Sequence, residues 1–182
     1  YPDEELGFDS MMVGGGFIAY TTGGNLLAER FLSAQVASID GSLQLVTGEK
    51  ITDLGVGDTL RARQRVRTTK QSGAFLRLED GSMIEMAPRS ELELRASRNR
   101  TNIELGRGNI IVHAADQGRG RLGVTTNECE VAVKGTIFSV NHGLKGSRVS
   151  VIEGEVEVRQ GASHSLLHPG DQVTTDQRLR MV

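Results

Sequence analysis

From Ala34 onward, apolar and polar side chains alternate in short runs separated by glycine, aspartate, asparagine and proline. A period of two places successive side chains on opposite faces of an extended chain, which is the pattern of strands with one buried face. The runs predict strands at 36–39, 42–46, 59–68, 74–78, 82–86, 91–95, 102–105 and 109–114. Further strands are predicted at 123–126, 130–133, 137–141, 148–152, 155–159 and 172–175. Strands this short and this evenly spaced define an all-β domain of antiparallel strands, built as a sandwich or a short β-solenoid.

Residues 1–33 follow another pattern. An acidic start at Asp3, Glu4 and Glu5 leads into Met11, Met12 and Val13, a glycine triplet, and the apolar stretch Phe17, Ile18, Ala19 and Tyr20. Residues 26–32 have the composition of one short helix. This segment reads as an irregular or short-helical leader that packs loosely on the domain. Alternatively it docks elsewhere, with Phe17, Ile18 and Tyr20 as contact residues on an extended segment added to a neighbour's sheet edge. The organisation expected is therefore a leader at 1–33, a β-domain at 34–176 and a tail at 177–182.

An internal repeat sharpens the β-domain. Ile39-Asp40-Gly41-Ser42-Leu43-Gln44-Leu45 matches Ile152-Glu153-Gly154-Glu155-Val156-Glu157-Val158 in residue type, position by position. Gly57-Asp58 follows the first copy and Gly170-Asp171 the second, at the same spacing, with Leu54 and Leu167 three residues before the glycine. Each copy reads as a strand that turns at glycine, continues with alternating faces, and reaches a second tight turn. Gly41, Gly57, Gly81, Gly135, Gly154 and Gly170 are accordingly read as structural turn positions rather than ligand contacts.

Composition then narrows the function. The 23 glycines against 3 prolines in 182 residues fit many tight turns better than a proline-rich linker. A net charge of −2, from 21 basic and 23 acidic side chains, supplies no field for nucleic acid or a membrane surface. Seven aromatic side chains and no Trp leave little for stacking sugars or bases. There is no run of about 18 apolar residues to span a bilayer, so any signal peptide or membrane anchor would lie outside this stretch. The single Cys129 lies in an apolar run and reads as a packed thiol.

Chemistry-bearing constellations are sparse. Were 59–68 one strand, Arg61, Arg63, Arg65 and Arg67 would share a face, either as a docking patch or paired with carboxylates on neighbouring strands. Glu153, Glu155 and Glu157 form a matching acidic stripe, and Glu91 with Glu93 offers a second. If the stripes are not neighbours, both become candidate contact patches. His113, His142, His164 and His168 lack companions at metal-ligand spacing and read as surface or turn histidines. Neither a phosphate-binding loop nor a nucleophile elbow is present, so no catalytic residue, cofactor, metal or small-molecule substrate is expected.

The ordered series Val131-Ala132-Val133-Lys134-Gly135-Thr136-Ile137-Phe138-Ser139-Val140, then Val149 to Val158 around Glu153-Gly154, then Leu167-His168-Pro169-Gly170-Asp171, resembles the second half of a FecR domain. Upstream, Gly41, Gly57-Asp58 and the Asp80-Gly81-Ser82 hairpin with Pro88 and Leu92 are similar to its first half. The resemblance covers roughly 34–175. It implies an extracytoplasmic β-domain of bacterial transmembrane signalling regulators, located in the periplasm or elsewhere in the cell envelope, whose partner is another envelope protein. The membrane helix and sigma-binding region of such regulators have no counterpart in this stretch. The expected function is a non-enzymatic sensing or docking domain; the alternative is a structural or accessory subunit of an envelope or membrane assembly, held through its leader.

Overall fold

The structure is a computed structural model, and it describes residues 10–13, 16–19, 32–97, 100–116, 121–133 and 135–176. In chain order the strands begin with β1 (Ser10–Val13), β2 (Gly16–Ala19), β3 (Ser33–Asp40), β4 (Leu43–Thr47), β5 (Lys50–Leu54) and β6 (Thr59–Arg61). They continue with β7 (Arg65–Thr68), β8 (Gly73–Leu78), β9 (Met83–Met86), β10 (Glu91–Ser97), β11 (Arg100–His113) and β12 (Arg121–Thr125). The last are β13 (Glu130–Val133), β14 (Ile137–Gly143), β15 (Gly146–Glu153), β16 (Val156–Gln160), β17 (Ser163–Leu167) and β18 (Gln172–Thr174). The described residues contain no helix, as an all-β reading requires.

Apart from the small β1–β2 hairpin, the strands form two facing layers. Sheet I runs β6-β3-β8-β9-β11-β14-β15-β18. Sheet II runs β5-β4-β7-β10-β11-β12-β13-β16-β17. β11 belongs to both: Arg100 to Arg107 pair with β10, and Gly108 to His113 pair with β9 and β14. β11 and β12 are the one parallel pair among the described strands. Between the layers, alternate side chains of sheet I (Val36, Leu76, Ile84, Ile110, Phe138, Val149) meet those of sheet II (Leu43, Val66, Leu94, Ile103, Val124, Val156) in a single buried core. Each fully buried side chain of this size contributes roughly 1.5–3 kcal/mol over its exposed state, and the alternation fixes the register because a one-residue slip would turn every such side chain outward.

The sequence repeat is a structural repeat. Reading either sheet from its two ends gives the same arrangement: β6-β3-β8 mirrors β18-β15-β14, and β5-β4-β7 mirrors β17-β16-β13. Gly41 (φ 84°) and Gly154 (φ 82°) carry the chain from sheet I to sheet II at equivalent corners. A Cβ on Gly41 would strike the Ser72 side chain, and one on Gly154 would lie 2.9 Å from Thr136 Oγ1. A side-chain hydroxyl meets the residue after the glycine at each corner, in opposite roles: Ser72 Oγ accepts from Ser42 N–H (2.9 Å), whereas Thr136 Oγ1 donates to the Glu155 carbonyl (3.0 Å). At the second turn of each unit, Asp58 Oδ2 accepts from Gly55 N–H (2.8 Å) and Asp171 Oδ2 from His168 N–H (2.9 Å).

Three expectations change. The run 59–68 is not one strand: β6 lies in sheet I and β7 in sheet II, and the chain crosses between them at Arg63, a non-glycine residue at φ 63°. The runs 102–105 and 109–114 are one strand, β11, kinked at Gly108 (φ 96°) beside Ser90, whose hydroxyl donates to the Asn109 carbonyl (2.9 Å) and accepts from its N–H (3.0 Å). β5 and β17, the two edges of sheet II, carry no sequence signal because a half-solvated edge has no alternation to impose. Within the leader, residues 10–13 and 16–19 pair as a hairpin, whereas the expected helix at 26–32 falls almost wholly outside the described residues.

Candidate protein-contact faces

The outer face of sheet II is ionic. Strand pairing sets Arg65 opposite Glu93 and Arg67 opposite Glu91 across β7 and β10, with Arg107 opposite Glu91 on β11. Glu93 and Glu104 also face each other, and this like-charge pair is relieved by Arg95, which reaches Glu93 at 3.0 Å and Glu104 at 2.6 Å. Arg65 lies 3.6 Å from Glu93 and 3.9 Å from Glu91, and Arg107 lies 3.8 Å from Glu91. Arg67 donates from Nε to Gln44 Oε1 (3.0 Å). Each half-exposed pair is worth little on its own, but together they tie Arg65, Arg95 and Arg107 to Glu91, Glu93 and Glu104 across three strands.

The four arginines therefore do not form one stripe. Arg65 and Arg67 share the ionic face, Arg61 sits on the three-residue edge strand β6, and Arg63 occupies the crossing turn, where its N–H donates to the Leu94 carbonyl (2.8 Å). The acidic stripe is divided too: Glu153 ends β15 in sheet I, Glu155 lies in the corner, and Glu157 is on β16 of sheet II. β16 is separated from β7 by four intervening strands, so the partners of the arginines are Glu91 and Glu93 rather than the 153–157 acids. Glu157 instead accepts from His164 Nε2 (2.6 Å) with Arg159 at 3.5 Å, and the His164 hydrogen bond holds its carboxyl below the usual carboxylate range. Glu155 lies 3.6 Å from His168.

Phe17 and Ile18 fall in β2, opposite Met12 and Met11 in the hairpin register, while Tyr20 lies outside the described residues. The six turn glycines singled out in the sequence all have positive φ, between 61° at Gly135 and 92° at Gly57.

Sheet I presents a different outer face. On β11, β14, β15 and β18, the side chains of Asn109, Ser139, Asn141, Arg148, Ser150 and Gln172 line a depression of about 420 Å³. Pairing places Asn109 opposite Asn141, Asn141 opposite Arg148, Ser139 opposite Ser150 and Ser150 opposite Gln172. Sequence reasoning passed over these residues because isolated Ser and Asn on a solvent face look ordinary until the register assembles them.

One histidine also departs from expectation. His142 is buried, 8% exposed, in β14, whereas His113, His164 and His168 are exposed. Its Nδ1 lies 2.9 Å from the oxygen of Ser147, which is fully buried. Ser147 donates to Glu128 Oε2 (3.1 Å), which also accepts from Thr175 Oγ1 (2.5 Å), and Thr126 Oγ1 stands 2.9 Å from Ser147 and 3.5 Å from Cys129 Sγ. Because the carboxylate can only accept, the proton directions are fixed: Ser147 spends its hydrogen on Glu128, so His142 Nδ1 and Thr126 must donate to Ser147. Burial pushes the Cys129 thiol above its ordinary value, partly offset by its hydrogen-bonding neighbours. This arrangement differs from a nucleophile–base pair, because the serine oxygen is sealed from solvent and its hydrogen points to a carboxylate. Its structural effect is to pin the 126–129 turn, the β14–β15 hairpin and the end of β18 together.

Among the described residues no group of three or more His, Cys, Asp or Glu side chains could hold a metal, and no helix is long and apolar enough to cross a membrane.

Comparison with known proteins follows this geometry. The family model described as FecR protein matches residues 64–157, just over half of the chain, and the chain belongs to that family. It is thus a signalling-regulator domain. Two crystal structures of a candidate anti-sigma factor from Parabacteroides distasonis ATCC 8503, at 1.65 and 2.50 Å resolution, share the fold. Their TM-scores are 0.55 and 0.53 at 18% and 19% identity, over 62% of this chain. The match spans 59% of each of those chains. No curated protein matches the chain.

Proposed function

We propose that this chain is an extracytoplasmic protein-binding domain, which senses or docks a protein of the bacterial cell envelope and passes that state on without catalysis. FecR family membership carries this reading. The site geometry supports it: the outer faces are broad, open sheet surfaces of polar side chains, suited to a macromolecular partner rather than to enclosing a small substrate. Arg65, Arg67, Glu153, Glu155, Glu157, Arg61 and Arg63 remain contact candidates, distributed over both faces and the corners instead of one stripe.

One observation favours a second reading, an accessory subunit held through its leader. β1 and β2 pair Met11 with Ile18 and Met12 with Phe17, and an isolated two-stranded hairpin of such composition is at best marginally stable in water. A neighbour's sheet that took up these strands would add the stability that two strands alone lack.

Affinity purification from native envelope, followed by mass spectrometry, tests both readings with the full chain and a version lacking residues 1–33. Capture of the same envelope regulator or receptor by both versions supports docking through the β-domain. A stoichiometric complex formed by the full chain alone favours the accessory subunit, and capture of nothing by either overturns the protein-binding reading.

A further inference from the structure

Sheet I carries an apolar band on its outer face. Phe75 of β8, Met83 of β9, Ile111 of β11 and Ile137 of β14 point away from the core, because their chain neighbours Ala74, Ile84, Val112 and Phe138 point into it. Strand pairing sets Phe75 and Ile111 on either side of Glu85, and Met83 and Ile137 on either side of His113. The four thus run diagonally across four neighbouring strands, one from each, over about 14 Å. Phe75 is 38% exposed and the other three are partly exposed. Arg77, opposite Met83 at the rim, is exposed and makes no hydrogen bond or ion pair with any other described residue. A sheet needs only one apolar face to fold, so a band on the second face calls for a cover.

The same chain supplies a segment with the complementary need. In the β1–β2 register, Met11, Val13 and Ile18 fall on one face and Met12 and Phe17 on the other, and two strands alone are marginally stable. Each strand has four residues, an extended length of about 14 Å, which matches the band. Residues 10–19 contain no charged side chain, so packing them buries no charge from the leader. Residues 20–32 join β2 to β3 and span at most roughly 50 Å, and β3 lies beside β8, where the band begins. Charge acts in the same direction. Residues 1–31 carry Asp3, Glu4, Glu5, Asp9 and Glu29 against Arg30 alone, a net −4, and leave 18 acidic and 20 basic side chains, a net +2, on the rest. Opposite net charges draw the leader toward the domain and toward the free Arg77.

We propose that the β1–β2 hairpin packs on this band within its own chain, as a third layer over Phe75, Met83, Ile111 and Ile137. A short tether presents the hairpin at an effective concentration on the order of millimolar, so a contact too weak to join two molecules is populated inside one. The hairpin then has its cover without a neighbour, and any partner of the band must displace it.

The test is a nitroxide label on Ser10→Cys in the full chain, with Cys129→Ala to leave one attachment point, and amide line broadening read by NMR. The expected result is broadening at Phe75, Met83, Ile111 and Ile137 and none at Arg65 or Glu93 on the outer face of sheet II. The pattern should survive tenfold dilution. It should be absent from an equimolar mixture of spin-labelled chain and isotope-labelled chain without nitroxide, because the contact is internal. Ile111→Asp in the labelled chain should weaken the broadening at least fivefold while the melting temperature stays near the parental one. Phe75→Ser, at the most exposed position of the band, makes the same measurement should Ile111→Asp fail to fold. Broadening centred on another surface, or on none, overturns the proposal, as does broadening that persists in the band variants. Broadening seen in the mixture assigns the band to the hairpin of a second copy and overturns the contact within one chain.

Discussion

The two ends of the sandwich share a backbone and differ in surface. The unit around β3 to β6 and the unit around β15 to β18 use the same left-handed glycine at the corner, the same hydroxyl beneath it and the same aspartate-capped turn. Their outer faces diverge, with Phe75, Arg77 and Arg61 on one half of sheet I and a depression of Asn, Ser and Gln side chains with Arg148 on the other. A few turn and corner positions therefore suffice to specify the fold, and the solvent-facing positions of each strand are left available for recognition.

The comparison breaks most sharply at the corners. Gly41→Val and Gly154→Val should each lose about 3–5 kcal/mol, combining left-handed strain with overpacking. Urea unfolding measures this, and a variant that unfolds at the parental midpoint would dissolve the equivalence. Gly57→Ala meets open space and should cost only the conformational part, about 1–2 kcal/mol.

The buried hydroxyl network belongs to one end alone and sharpens the contrast. Ser147→Ala should cost about 1–3 kcal/mol, because it strands Glu128, His142 and Thr126 without their common partner. The same change should speed iodoacetamide alkylation of Cys129, whose raised ionisation keeps it a thiol near neutral pH in the parent. Equal alkylation rates in the two proteins would show that the network does not hold that region closed.

Smaller effects lie on sheet II. Arg65→Gln should change stability by less than about 1 kcal/mol, and the difference should shrink as salt is added; a salt-independent loss would mean that the ladder is not electrostatic. The smallest effect is at Glu157. Its carboxyl is depressed in the folded chain, so its contribution is present above the ordinary carboxylate value and is lost as pH falls through the depressed one. Parent and Glu157→Gln should differ slightly above the ordinary carboxylate value and converge in melting temperature as pH falls through the depressed one. A difference that persists in acid would assign the effect to something other than ionisation.

The sequence was most legible where burial enforces alternation. Val149 and Val151, or Leu76 and Leu78, alternate because one face is core, and the repeat survived because its glycines and aspartates are geometric requirements. Legibility failed where a feature leaves no residue-type mark. Arg63 turns the chain between sheets without a glycine, Gly108 kinks a strand that otherwise continues, and β5 lies half in solvent. The depression on sheet I was illegible for another reason: its six residues are spread over 109–172, and only the pairing of β11, β14, β15 and β18 brings them onto one face. His142 looked like a surface histidine because nothing local reveals that Ser147 and Glu128 will close over it.

β11 gives its first half to one sheet and its second half to the other. Removing it would leave β10 and β12 without a common neighbour in one layer and β9 and β14 without one in the other. Neither layer can dissolve while the other survives intact, so thermal melting should follow a single transition. A partner gripping either face would consequently slow hydrogen exchange on both.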